Sequence, residues 1–184
     1  MDGGGSYDPA APDAPLTVFA DGLRLSYDLL WHSNGQLYAP VNGSSAGGNT
    51  PAGPGVAALR NIPTSEHDWL FKIRPGRYYG HPNPRRGHYV LNGGNPTAGP
   101  DPAEVPQYAV GTRPDTAWDA AVYDFGDHVS PDGIIEYRSD AFGGRLKHKL
   151  LVCRYNAGGD ILCLSVDARG DVSSAQAGIP GLTG

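Results

Sequence analysis

Six histidines, two cysteines and one tight run of acidic residues are the groups in this 184-residue chain with obvious reactive or metal-binding chemistry. His32, His67, His81, His88, His128 and His148 are scattered, and none pairs with another at a ligand spacing such as i, i+4 on a helix. Asp124, Asp127, His128 and Asp132 fall within nine residues. Such a set could bind a cation, and it serves equally as turn caps with no metal at all. Cys153 and Cys163 lie on two apolar runs, 149–155 and 160–166, joined by Asn156-Ala157-Gly158-Gly159. A five-residue loop would set them opposite each other, a four-residue loop on opposite faces. Direct cross-strand bridges fit disulfide geometry poorly, so two reduced, half-buried thiols are expected. No general base stands out.

The elements that must position these groups read as strands. Tyr27-Asp28-Leu29-Leu30-Trp31 and Gln36-Leu37-Tyr38-Ala39-Pro40-Val41 flank His32-Ser33-Asn34-Gly35, and the Asn-Gly step supplies the positive φ of a tight hairpin. His32 sits in that turn, where an exposed side chain is expected. Ahead of it Leu16-Thr17-Val18-Phe19-Ala20 is a short β-type run, turned by Asp21-Gly22 towards Leu23-Arg24-Leu25. Later come Asp68 to Ile73, Ala121 to Phe125, a turn at Ser130-Pro131-Asp132-Gly133, a strand at Ile134 to Tyr137, and the cysteine-bearing hairpin. From Asp171-Val172 onward the pattern dissolves into small residues.

Composition sets the outer limits. With 27 Gly and 17 Pro the chain is rich in turns and poor in long helices, yet 39% of its residues are hydrophobic and clustered between turn signals. One all-β domain with large loops satisfies both facts. A net charge of −5, with Arg85-Arg86 as a local basic pair, excludes a general nucleic-acid surface. No apolar segment approaches the ~18 to 20 residues of a bilayer span, and Met1 to Ser6 lacks the basic and apolar regions of a secretory signal. Residues 1–15 read as a flexible tail. Two long insertions interrupt the strand rhythm. The first, 43–66, carries a possible apolar anchor at Val56-Ala57-Ala58-Leu59; the second, 80–117, is kept out of helices and central strands by its prolines. A short helix is expected at its end, from Asp115 to Ala121, capped by Thr112 or Asp115.

Several phrases resemble the glucose/sorbosone dehydrogenase family of six-bladed β-propellers, many of which use pyrroloquinoline quinone (PQQ) and calcium. The corner Gly22-Leu23-Arg24-Leu25, the strand Leu29-Leu30-Trp31, the turn Asn34-Gly35, the strand Gln36-Leu37-Tyr38 and the closing Asn42-Gly43 follow the family's order. So do Asp68 to Ile73 with Pro75-Gly76-Arg77-Tyr78-Tyr79-Gly80-His81-Pro82, and Phe142-Gly143-Gly144 with Lys149 to Val152. The resemblance implies an all-β fold in which residues 16–184 form a partial propeller, with the insertions at 43–66 and 80–117. At about 40 to 50 residues per compact blade, that is roughly two to three of six blades, and the remaining blades would come from the same polypeptide. Leu29-Leu30 with Gly35 to Tyr38 recurs as Leu150-Leu151 with Gly159 to Leu162, which fits two blades carrying inserted loops.

For function the resemblance implies oxidation of a sugar or other alcohol with PQQ and calcium in the complete protein. Arg24 maps onto a cofactor-binding arginine whose guanidinium can meet carboxylate or quinone oxygens. Leu25 stands where the family has Asn, which removes one polar contact. Gly43 and Ser44 map onto the pair whose carbonyls hold the calcium. The catalytic histidine of the family lies in an earlier blade, and the parent protein would be extracellular or periplasmic. An alternative is a non-catalytic propeller module that binds carbohydrate or protein through its loops, with Tyr78, Tyr79 and Tyr89 offered to sugar faces.

Overall fold

The computed structural model describes residues 8, 11–97 and 104–179, so most of the expected tail lies outside the described residues. Its regular structure is ten strands, β1 (Leu30–Trp31), β2 (Leu37–Val41), β3 (Gly48–Thr50), β4 (Leu59–Ile62), β5 (Asp68–Ile73), β6 (Tyr123–Gly126), β7 (Pro131–Glu136), β8 (Leu150–Arg154), β9 (Asp160–Val166) and β10 (Val172–Ala177), with two short 3-10 turns. Two of the three sheets are four-stranded antiparallel meanders, ordered β1-β2-β5-β6 and β7-β8-β9-β10. Four strands in sequence order is the arrangement of a propeller blade. The third pairs β3 with β4 inside the first insertion.

The hairpin at Asn34-Gly35 forms as its turn chemistry requires, with Gly35 at φ 81°. Pro40 sits within β2, next to the stretch where β1 has already ended. Its carbonyl accepts a bond from the Ser26 hydroxyl on that side, so the absent N–H breaks no ladder bond. One face of the first sheet meets one face of the second, and Tyr38, Leu70, Ile134, Leu150, Val152 and Leu164 bury there together. At roughly 1.5 to 3 kcal/mol per large side chain, this seam is the main apolar term holding the sheets together. Polar ties reinforce it: the Tyr38 hydroxyl donates to the Gly170 carbonyl at 2.8 Å, and Lys72 pairs with Asp171 at 2.6 Å.

Several sequence expectations are corrected. No helix forms at Asp115 to Ala121, which holds only a turn bond from Trp118 N to Asp115 O; tertiary pairing of Tyr78 with this stretch takes its backbone groups instead. Pro131, Asp132 and Gly133 belong to β7 rather than a turn, because Pro131 and Gly133 pair with Arg154 and Cys153. The small-residue stretch from Val172 is an edge strand whose side chains are largely exposed, which is why it lacks an apolar pattern. The repeat is displaced by one strand: β1 and β2 are first and second in their sheet, whereas β8 and β9 are second and third.

The insertion at 43–66 is not a long loop with one anchor. It contains β3 and β4, and Leu59 and Ile62 bury against Val90, Leu91, Val105 and Tyr108 of the second insertion. Across β8 and β9, Cys153 lies opposite Ile161 and Cys163 opposite Leu151. The connecting loop therefore has five residues, but the thiols are diagonal neighbours rather than partners. Both are free, Cys153 exposed and Cys163 buried.

Candidate functional site

Arg24 and the Gly43–Ser44 pair, 19 residues apart along the chain, meet on one rim at the end of β2. The Arg24 guanidinium donates from Nη1 to the Gly43 carbonyl at 2.6 Å and is otherwise exposed. Gly43 is held from both sides. Its N–H donates to Asp68 Oδ1 at 2.8 Å, and a Cβ at this position would collide with the His67 and Glu66 carbonyl oxygens. Ser44 exchanges two bonds with Glu66: its N–H donates to Glu66 Oε2 at 3.2 Å, and its carbonyl accepts the Glu66 N–H at 2.8 Å.

Asp68 carries the rim across to the second sheet. Its other oxygen accepts the N–H groups of Val129 and Ser130 at 2.7 and 2.8 Å, and Asn42 donates to Asp132 Oδ1 at 2.9 Å. His128 and Ser130 both have left-handed backbones, φ 49° and 53°, uncommon for non-glycine residues. The Asp68 bonds fix that unfavourable turn and leave His128 on the wall of a groove of about 340 Å³. Arg24, Asn42, Gly43 and Asp132 line the same groove, and the exposed rings of Tyr27 (68%) and Tyr155 (81%) stand at it.

Behind Ser44 a second cavity of about 280 Å³ lies between the two insertions, with Glu66, His81 and Asn92 in its wall. Burial pushes the Glu66 carboxyl up from its ordinary range, against the bonds from Ser44 and Asn92 and the charge of Arg24. Burial, joined by the Arg24 charge, pushes His81 down, so its imidazole is held neutral.

Other sequence candidates are dispersed. Asp124 accepts from His67 Nδ1 at 2.8 Å, Asp127 faces His67 Nε2 at 3.8 Å, Asp132 bonds Asn42, and His128 faces the groove. Among the described residues no group of three or more potential ligands converges on a metal position. His32 is buried rather than exposed: its Nδ1 accepts the Asn34 N–H at 3.0 Å, so Nε2 bears the hydrogen and donates to the His148 carbonyl at 3.1 Å. Tyr78 and Tyr79 are 0% and 1% exposed, so neither offers a face to a sugar. The Tyr78 hydroxyl lies 2.5 Å from the Gly80 and Val90 carbonyls, and that of Tyr79 donates to the Lys72 carbonyl at 2.9 Å. Tyr89 is half-buried, its ring pressed on Gly53.

No family model matches the chain, and no curated protein matches it. Solved structures do. The apo soluble aldose sugar dehydrogenase of Escherichia coli aligns over 93% of this chain and 39% of its own, at 15% identity and TM-score 0.57. A crystal structure of glucose dehydrogenase aligns over 96% and 42%, at 15% identity and TM-score 0.57. The PQQ-bound aldose sugar dehydrogenase of Streptomyces coelicolor aligns over 95% and 36%, at 16% identity and TM-score 0.51. The fold is that of these sugar dehydrogenases. The chain spans about two fifths of the length of the structures it matches. No helix among the described residues is long and apolar enough to cross a membrane.

Within the sugar dehydrogenase fold, the two groups implied for the rim fare differently. Arg24 spends one of its five N–H donors on Gly43 and retains the others at the groove, which suits a carboxylate-bearing quinone. Calcium does not fit the rim as arranged. The Gly43 carbonyl already faces a guanidinium, the Ser44 carbonyl already accepts the Glu66 N–H, and a dication beside Arg24 would be repelled.

Sequence reasoning missed Asp68, Glu66, His81 and the placement of His128. Asp68 opens β5 and Glu66 lies two residues before it, and a carboxylate beside an apolar strand run was the available signal. Nothing local foretold that their partners would be 22 to 62 residues away.

Proposed function

We propose that this chain forms two neighbouring blades of a glucose/sorbosone dehydrogenase-like propeller. In the complete ring, the Arg24 groove binds the carboxylate edge of PQQ, and the ring oxidises a sugar or other alcohol. The observation that carries this reading is the convergence of Arg24 with Gly43 and Ser44 on one rim, facing a groove that spans both sheets. PQQ, when bound, supplies the two-electron acceptor. The chain's own residues do the rest: Arg24 pairs with the carboxylate, Gly43 fixes the arginine, and Asp68 fixes Gly43 and the turn carrying His128. His128 lines the same groove, and its imidazole would accept a hydrogen bond from a hydroxyl bound there. The remaining blades lie in the same polypeptide, and the parent protein is extracellular or periplasmic by the same resemblance.

Titrating PQQ into the chain, followed by its absorbance and by calorimetry, tests the reading. Binding that Arg24→Ala weakens tenfold or more supports it; no binding to the chain or to its full-length parent ends it. A non-catalytic sugar-binding module is the second reading, favoured by the exposed Tyr27 and Tyr155 at the groove. It is distinguished by sugar binding without quinone that is lost in Tyr27→Ala and Tyr155→Ala.

A further inference from the structure

The two insertions build something the sheets do not need. The first carries its own β3–β4 pair, and Leu59 and Ile62 of that pair pack on Val90, Leu91, Val105 and Tyr108 of the second. Their shared core holds apart the walls of the cavity of about 280 Å³, near the lower end of small-molecule sites. We propose that this cavity is a binding site for a neutral, polyhydroxylated small molecule of about monosaccharide size, held by His81, Asn92 and Glu66. This goes beyond the quinone groove, from which it is separated by the Gly43–Ser44 rim.

The wall chooses the ligand class. One side is apolar, from Ile62, Leu91 and Val105, and suits the C–H face of a cyclic polyol. The other side is polar: Asn92 is an amide, burial pushes the Glu66 carboxyl up, burial with the nearby Arg24 pushes His81 down, and the two remaining titratable groups of the wall are already engaged, Glu104 by the Thr97 N–H and hydroxyl and His67 by Asp124. The His81 Nδ1 is buried with no protein partner. A charged ligand would lose its hydration here without gaining a free counter-charge, since Glu104 is taken up by Thr97, whereas hydroxyls both donate and accept and can exchange water for these groups. Both Glu66 oxygens are fixed, one by the Ser44 N–H and one by the Asn92 amide, so the polar wall is pre-set.

The test uses the full chain and three probes of one size: myo-inositol (neutral), D-gluconate (anionic) and D-glucosamine (cationic). The expected result is that myo-inositol slows amide hydrogen exchange in 62–66 and 81–92, and that the charged probes bind at least tenfold more weakly. His81→Leu should weaken inositol binding at least tenfold, and His81→Gln, which keeps a hydrogen-bonding group, by less than threefold. The wild-type exchange footprint needs no variant, so a misfolded His81→Leu leaves the test intact. Absence of an inositol footprint, equal binding of a charged probe, or unchanged affinity in a folded His81→Leu overturns the proposal. A chain that ignores PQQ yet shows the inositol footprint loses the groove reading and keeps this one.

Discussion

Replacing Asp68 by Asn strikes the point where both sheets meet the candidate site. Its carboxylate is buried and serves three backbone donors, Gly43 N–H through Oδ1 and the Val129 and Ser130 N–H groups through Oδ2. Asparagine offers one acceptor oxygen and one NH2 group. Whichever way the amide turns, the NH2 faces either Gly43 N–H or the Val129–Ser130 pair, donor against donor. A lost charge-assisted bond is worth about 1.5 to 3 kcal/mol, and a stranded buried donor costs about 1 to 3. Asp68→Asn is therefore expected to destabilise the chain by about 3 kcal/mol, a large part of the ~5 to 15 typical of a domain. Urea unfolding followed by tryptophan fluorescence measures this, and Trp69 is the adjacent reporter. The same variant should weaken PQQ binding at least tenfold, because Gly43 is the anchor of Arg24. A loss below about 0.5 kcal/mol with unchanged affinity would refute the claim that Asp68 positions the rim.

Glu136, whose side chain is 1% exposed, links the second sheet to the hairpin turn of the first. It accepts the Ser33 N–H and the Arg138 Nε–H, each at 2.9 Å, and contacts His148 Nδ1 at 2.8 Å. Burial pushes its carboxyl up, but the bonds from His148, Ser33 and Arg138 outweigh this and lower it from 4.5 to about 2. The folded value lies below the unfolded one, so the stabilisation is present above pH 4.5 and fades as pH falls towards 2. Linkage gives about 3 kcal/mol, and water around the half-exposed His148 and Arg138 reduces this to about 1 to 2. Glu136→Gln should show that deficit in urea unfolding at pH 7 and a closing gap at pH 3; a gap independent of pH contradicts the account. Tyr78→Phe removes the hydroxyl that sits on the Gly80 and Val90 carbonyls, and is expected to cost about 1 to 3 kcal/mol, measured by thermal unfolding. If Tyr78→Phe melts with the wild type, the buried-hydroxyl role is wrong.

The sequence by itself determined what depends on neighbours along the chain. Asn34-Gly35 dictates a hairpin wherever it falls between apolar runs, and the runs at 37–41, 68–73, 150–154 and 160–166 alternate or concentrate apolar residues in the manner of strands, as observed. An all-β, loop-rich chain followed from its glycine and proline content. Arg24 and the Gly43–Ser44 pair stood out only through the family resemblance, and their contact was not legible, since nothing local says that the guanidinium closes on that carbonyl.

Tertiary structure decided which polar groups lie inside. Tyr78 and Tyr79 sit in a Pro- and Gly-rich stretch that reads as surface, yet bury because the corner at Asp21 and Gly22 folds onto them. His32 reads as a turn residue, yet is sealed by Glu136 and His148, more than a hundred residues on. The insertions read as loops because each holds only half of a core, and the apolar residues of one find partners only in the other. Spacing along the chain sets which face a side chain takes; what that face meets, and so whether a carboxylate or imidazole is charged, depends on segments that only folding brings near.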